Sequence, residues 1–337
     1  VEARSVIALS LPEQGHPFGW SVASTRLTEA LKKLTEVIEV HTASDYPEMY
    51  DCPLLHAIQG VNLLPLRPQY FSKADVGYCF IEDNVLVKRY MLNAPRYFDK
   101  IVAGSTWCRD MLADFHLPLP VHAILQGVGP EFFEIQPREK DDRFIVFSGG
   151  KYEPRKGQDI VLAAMRVFMG LHKDAWFSPN WHNPWNYGRR EAWGCDPARI
   201  IGSKFAAVPH AQMPDLYRCS DIGLFPNRCE AGTNLVMMEY MASGRPVIAT
   251  YATGHKDVLE EHNPLNLTHN GEYLAKAPDG SVTGVWVEPD LDEILANLET
   301  AYRSRDSLPV EGARIRETMR KWTWERCARE FLEVLTS

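Results

Sequence analysis

The chain has 337 residues, a formal charge of −8 at neutral pH, and 45% hydrophobic residues. That length suits two domains rather than one small core, and the apolar content excludes a disordered chain. The acidic balance excludes a global attraction to nucleic acid or anionic lipid, so any anion binding must come from local cation clusters.

The seven cysteines are scattered and contain no C-x-x-C pair. They read as reduced thiols of a cytoplasmic protein, neither a disulfide framework nor a zinc site. No run approaches eighteen apolar residues and no signal peptide opens the sequence, although a start at Val1 leaves a trimmed leader open.

Strands and helices alternate, the pattern of a parallel α/β sheet. In the first half, residues 5–10, 37–42, 54–58, 76–82, 100–104 and 121–125 read as strands. Residues 22–34, 85–97 and 105–115 read as helices, the last with Ser105 as its N-cap. His56, inside an apolar strand, reads as a core histidine, and His16 as a solvated loop histidine. Residues 126–133 and the charged stretch 138–143 read as a linker. A second sheet is expected from residues 144–148, 175–178, 200–205, 221–225, 247–250 and 285–287, with a helix over 322–332 closing the chain.

Two segments carry chemistry. In the first, a buried strand from Phe144 runs into Gly149, Gly150 and Lys151, then Arg155, Lys156 and an apolar helical stretch. Paired glycines let backbone approach a ligand, and clustered cations before a helix make a cradle for a diphosphate. At this spacing Arg155 reads as solvated rather than as a phosphate contact. In the second, a strand ending at Phe225 enters a turn with Glu230, Ala231, Gly232 and Thr233. A helix then starts near Asn234 and Leu235 and carries Glu239, with Gly244 at its end. Turn and helix-start N–H groups can hold a phosphate or a sugar hydroxyl, and a carboxylate on the helix can accept from a ribose diol. The run Trp176 to Tyr187 offers either an aromatic platform for a ligand, with His182 or Asn183 bonding it, or a packed loop.

The second segment resembles the carboxylate-pair motif of glycosyltransferase family 4, retaining nucleotide-sugar enzymes of the GT-B fold, and the likeness covers most of the C-terminal half. The resemblance implies an α/β architecture of two Rossmann-like, doubly wound domains facing a central cleft. Residues 1–137 would form the acceptor-binding domain, 138–320 the nucleotide-sugar domain, and 321–337 a helix crossing back to the first. In the family two glutamates stand seven residues apart. Glu239 fits the second place, toward the ribose, while the first falls on Ala231, so either a bulge lets Glu230 reach the sugar or the backbone of Gly232, Thr233 and Asn234 substitutes. Lys151 and Lys156 fall on the family's diphosphate-binding arginine and lysine. Gly19 with Trp20 and Ser21 is the best match to its N-terminal glycine-rich loop. Main-chain atoms around Pro209 and His210 would read the base, with Met213, Leu216 and Tyr217 as core.

Many relatives carry a histidine where this chain has Ile81. The neighbouring Glu82 and Asp83 read as acceptor-binding acids or as a plain helix start.

The implied activity is retaining transfer of a hexosyl-type sugar to an acceptor hydroxyl. Lys151, Lys156 and Glu230 would act at the reacting centre, and Gly149, Gly150, Leu235 and Glu239 along the donor. The donor would be UDP- or GDP-linked, with no cofactor and no obligatory metal. The acceptor would be a glycan, a lipid-linked or a small molecule, and any membrane contact weak and peripheral. The alternatives are a non-catalytic GT-B nucleotide- or sugar-binding subunit and a GT-B phosphorylase; an NAD-dependent oxidoreductase is disfavoured because no G-x-G-x-x-G follows the first strand.

Overall fold

A computed structural model describes residues 5–14, 19–41, 46–139, 141–184, 194–202 and 208–337. The first half contains β1 (Val6–Ser10), α1 (Gly19–Leu34), β2 (Glu36–Glu39), β3 (Glu48–Tyr50), β4 (Leu54–Gln59), β5 (Leu64–Pro65) and β6 (Tyr70–Ser72). It continues through β7 (Asp75–Cys79), β8 (Lys100–Ala103), α2 (Thr106–Asp114) and β9 (Val121–Ala123). The second half contains β10 (Phe144–Lys151), α3 (Gln158–Leu171), β11 (Ala175–His182), α4 (Met213–Arg218), β12 (Ile222–Phe225), α5 (Leu235–Ala242) and β13 (Val247–Thr250). After these come β14 (Asn266–Leu267), β15 (Asn270–Lys276), β16 (Val282–Pro289), α6 (Leu291–Arg303), α7 (Leu308–Met319) and α8 (Trp324–Thr336).

The first sheet has the parallel order β2-β1-β4-β7-β8-β9, with β5 antiparallel against β4. The second is parallel in the order β11-β10-β12-β13-β14. Apolar runs such as Phe144 to Phe147 and Val247 to Ala249 are wholly buried, as expected of parallel strands covered on both faces. Each sheet reverses its winding once, between β1 and β4 and between β10 and β12, and an open α/β sheet binds ligands outside the carboxyl ends of strands at such a point.

Three elements differ from the sequence expectation. Residues 85–97 do not form an α-helix but a run of 3₁₀ turns, Leu86–Arg96, with Pro95 inside it, where a regular ladder would lack an N–H. The strand expected at 175–178 continues to His182, so the aromatic stretch is still sheet there; Trp181 is a core side chain whose indole N–H meets the Ser148 hydroxyl at 3.2 Å. Residues 185–187 of that stretch lie outside the described residues, as do His16 and residues 203–205 of the strand expected at 200–205, where Ile200 makes a single bridge to Phe177. Residues 285–287 belong to a separate antiparallel hairpin of β15 and β16, and β14 takes the sheet edge instead.

The last helix joins the first core. Trp324, Cys327, Phe331 and Leu335 of α8 pack with Leu27 and Leu31 of α1, and the Phe331 ring meets Tyr78 edge-on at 4.9 Å. Thr323 caps the helix by accepting from the Arg326 N–H at 3.1 Å. His56 is buried against Asp75, with 3.0 Å between Nε2 and Oδ1. Phe331→Ala should leave a cavity and cost about 3–5 kcal/mol, read as a lower urea midpoint; an unchanged midpoint would contradict this packing role.

Candidate active site

At the reversal between β10 and β12, the end of β10, the turn after it and the loop after β12 line a cleft of about 340 Å³. Trp20, Phe80 and Glu82 of the first half form the opposite wall. Gly150 at the end of β10 has φ +120°, a conformation that strains any residue with a Cβ. Gly149 lies one layer below, where a Cβ would come within 2.9 Å of Val236 at the start of α5.

The two sequence segments dock directly. Gly157 has φ +69°, and a Cβ there would stand 2.2 Å from the Pro226 carbonyl oxygen. The Arg155 carbonyl accepts from the N–H groups of Arg228 at 2.8 Å and Cys229 at 3.2 Å. Arg228, itself buried, binds Asp159 and Glu288 and lies 4.3 Å from the Tyr273 ring.

The cleft charges form one network. Lys156 Nζ lies 2.5 Å from Glu230 Oε1, and Arg155 Nη1 lies 3.1 Å from Glu230 Oε2. Asn227 donates a short hydrogen bond to the same carboxylate. Lys151 pairs with Glu153 at 2.8 Å and Arg155 with Glu153 at 2.9 Å, while Glu82 stands 3.5 Å from Arg155. Arg155 is therefore not solvated as expected from its spacing. Gly157 folds the turn inward, so its guanidinium is held among three carboxylates. Burial pushes the Glu230 carboxyl up, but Lys156 and Arg155 outweigh it and hold it at about 2. Glu153 is also near 2, through Arg155 and Lys151 acting against burial.

The loop carrying Glu230 is pinned from several sides. Ala231 is fully buried and its carbonyl accepts from the Ser105 hydroxyl at 2.7 Å, while the Glu230 side chain enters the cleft. Ser105 also caps α2 as expected, accepting from the Cys108 N–H at 3.1 Å. The Glu230 N–H donates to the Thr253 hydroxyl at 3.0 Å, and the Gly254 N–H to the Glu230 carbonyl at 2.9 Å. Asn234 caps α5 in a left-handed conformation, φ 61°, and its side-chain amide faces His255 Nε2 at 3.2 Å. His255 Nδ1 donates to the Thr250 carbonyl at 3.1 Å, which leaves Nε2 as acceptor for Asn234 and fixes a neutral ring. Burial lowers its pKa to about 4 despite the Glu230 charge.

Of the remaining candidates, Gly19, Gly232, Asn234 and Leu235 line the cleft with Lys151 and Lys156. Glu239 lies below its wall, bound by His210 Nε2 at 2.7 Å and by the Tyr217 hydroxyl at 3.0 Å. Burial pulls the His210 pKa down, but the Glu239 contact raises it overall. Met213 and Tyr217 are core, as expected. Thr233 is buried and its hydroxyl has no partner among the described residues. Ser105, Thr253 and His255 escaped sequence reasoning; they act through contacts far apart in the chain, and only the Ser105 capping pattern gave any local signal.

Residues 142–297 match the family model described as glycosyl transferases group 1. A glycosyltransferase described as putative, YtcC of Bacillus subtilis (strain 168), is 28% identical over 131 residues, which cover 36% of this chain and 31% of that protein. The chain thus aligns with about a third of the length of that curated relative. HepE of Anabaena, solved with UDP and glucose, superposes with a TM-score of 0.66 at 12% identity, covering 99% of this chain and 100% of that one. The catalytic domain of starch synthase IV from Arabidopsis thaliana, bound to ADP and acarbose, gives 0.63 at 13% identity, with 99% of each chain covered. The fold is GT-B, and its second half is similar to the group 1 glycosyl transferases.

Two substitutions test this architecture. A Cβ at Gly254 would lie 1.9 Å from the Gly232 carbonyl oxygen and 2.8 Å from that of Glu230. Gly254→Ala should lower the melting temperature. Gly170→Ala, on α3 where a Cβ meets nothing within 4 Å among the described residues, should raise stability by about 0.5 kcal/mol. Equal effects would contradict the close approach. Above about pH 6.5 His255 is neutral in both the folded and the unfolded chain. Between there and about pH 4 only the unfolded chain takes the proton, so stability falls as pH falls through that window. His255→Asn should lose less stability across it in urea titrations, and an unchanged slope would contradict the assignment.

Proposed function

We propose that this protein transfers a hexosyl-type sugar from a UDP- or GDP-linked donor to an acceptor hydroxyl, with retention at the anomeric carbon and without an obligatory metal. The observation that carries this reading is the convergence of Lys151, Arg155 and Lys156 with the start of α5 in one cleft at the sheet's reversal point. A departing diphosphate develops negative charge, and fixed cations and helix N–H groups in a partly closed cleft stabilise that charge without reorganising. Holding donor and acceptor between two facing walls supplies the remaining advantage through proximity. The nucleotides bound by HepE and starch synthase IV support the same use of this fold.

Within this reading Lys151 and Lys156 neutralise the leaving group, and Glu230 faces the transferred sugar from the loop after β12. Gly19 and Gly150 let backbone approach the phosphates, while Gly149 makes room for Phe147 and Val236 beneath them. Gly232, Thr233, Asn234 and Leu235 offer main-chain and hydroxyl groups, and main chain near His210 reads the base. Glu239 takes the ribose: a carboxylate has about four acceptor positions, and His210 and Tyr217 use two. A cytoplasmic setting and a glycan, lipid-linked or small-molecule acceptor complete the proposal.

A panel of nucleotide sugars screened for protection against heat, followed by donor turnover, tests this function. Lys156→Ala should weaken the best hit by about 10- to 100-fold, the loss of a charged hydrogen bond. Glu239→Ala should weaken it as well, and the product should keep the donor's anomeric configuration by NMR. Protection unaffected by either substitution would refute the site, and binding without turnover would refute the enzyme.

A further inference from the structure

Among the described residues, the cleft is charge-balanced before any donor enters. Among the described residues that line it, Lys151, Arg155 and Lys156 face Glu82, Glu153 and Glu230. A nucleoside diphosphate sugar brings two negative charges, and an uncompensated buried charge costs several kcal/mol. The helix starts at Gly19 and Leu235 supply roughly half an elementary charge each, about one of the two. Among the described residues, one further unit is left uncompensated.

The three carboxylates are not equally held. Glu230 is gripped by Lys156, Arg155 and Asn227, and Glu153 by Lys151 and Arg155. Glu82 stands on the opposite wall, and its one ion pair among the described residues is to Arg155 at 3.5 Å. Its backbone is fixed, because its carbonyl accepts from the Trp286 indole at 2.8 Å, and Asn84 exchanges two hydrogen bonds with the Val285 backbone at 2.8 and 3.1 Å. The carboxyl group is therefore held at the cleft without being firmly neutralised.

We infer that donor binding is linked to proton uptake by Glu82, whose neutral form a diphosphate in the cleft favours. This rests on the diphosphate reading of the same site. The groups facing Glu82 are Arg155, Lys156 and Glu153 from the turn after β10, Glu230 and Cys229 from the loop after β12, and Cys79 at the end of β7, three residues before it. Burial already pushes its pKa up, with Arg155 opposing and Glu230 and Glu153 adding to the rise. A diphosphate among these residues adds negative charge and moves it further the same way. A neutral Glu82 also gains an O–H donor that the carboxylate lacks. Affinity should be flat below the pKa of the free protein and fall about tenfold per pH unit above it, until the pKa of the complex is reached.

Calorimetric titration of the whole chain with UDP-glucose, ADP-glucose and GDP-mannose, whose diphosphate diesters have no group ionising near neutrality, tests this. Titrations at one pH in buffers of different ionisation heat, with and without EDTA, should show uptake approaching one proton per donor. Glu82→Gln should abolish the uptake and flatten the pH dependence while keeping wild-type or tighter affinity. The wild-type heats decide by themselves if that variant does not fold. Binding without uptake, uptake that persists in Glu82→Gln, or a divalent cation requirement in place of the proton would overturn this inference alone. Failure of all three donors to bind would overturn the diphosphate reading together with it.

Discussion

The buried ion cluster around Glu230 is the constraint on which the rest of the cleft depends. Removing charged groups from water is expensive unless each meets an opposite charge and its remaining hydrogen-bonding positions are filled. Here Lys156, Arg155 and Asn227 converge on one carboxylate, while the backbone of the same residue bonds Thr253 and Gly254. The geometry of that residue therefore fixes the turn after β10, the loop before α5 and the segment after β13 relative to one another. The close backbone contacts at Gly157 and Gly254 allow these pieces to meet.

The two halves meet around the same point. Ser105, at the start of α2, reaches the Ala231 carbonyl, and the Thr106 N–H reaches Asp257 at 2.7 Å. On the other side, the hairpin of β15 and β16 crosses to Glu82 and Asn84. Within that hairpin Tyr273 stacks on Trp286 with ring centroids 5.8 Å apart, and buried Arg228 lies against Tyr273. A continuous path of contacts thus runs from Arg228 through Tyr273 and Trp286 to Glu82 on the N-terminal wall of the cleft. Contacts of this kind hold the facing walls in one arrangement, which the proposed transfer would need if fixed charges are to stabilise its transition state.

The parallel sheets were legible because their strands are apolar runs bounded by glycine, proline and capping residues, and the Ser105 cap followed from its position alone. The cation cluster was legible as a motif, but the environment of Arg155 was not. Its burial follows from the left-handed Gly157 and from docking on Arg228 and Cys229, more than seventy residues away in sequence. The hairpin was misplaced in the parallel sheet because residues 285–287 carry the same β-branched character whichever partner they pair with; the antiparallel register to residues 270–276 is a tertiary choice. The Glu230 position was open between two arrangements in sequence. The fold buries Ala231 and places Glu230, Gly232 and Asn234 together on the cleft wall.

Electrostatics and topology support one central proposal: that the cations at the carboxyl end of β10 grip the diphosphate of an activated sugar. A crystal structure of the protein with a bound nucleotide sugar tests it most directly. The account predicts phosphate oxygens within hydrogen-bonding distance of Lys151 and Lys156, at the start of α5. A nucleotide lodged elsewhere, for instance in the crevice between α1 and α8, with Lys156 still paired only to Glu230, would contradict it.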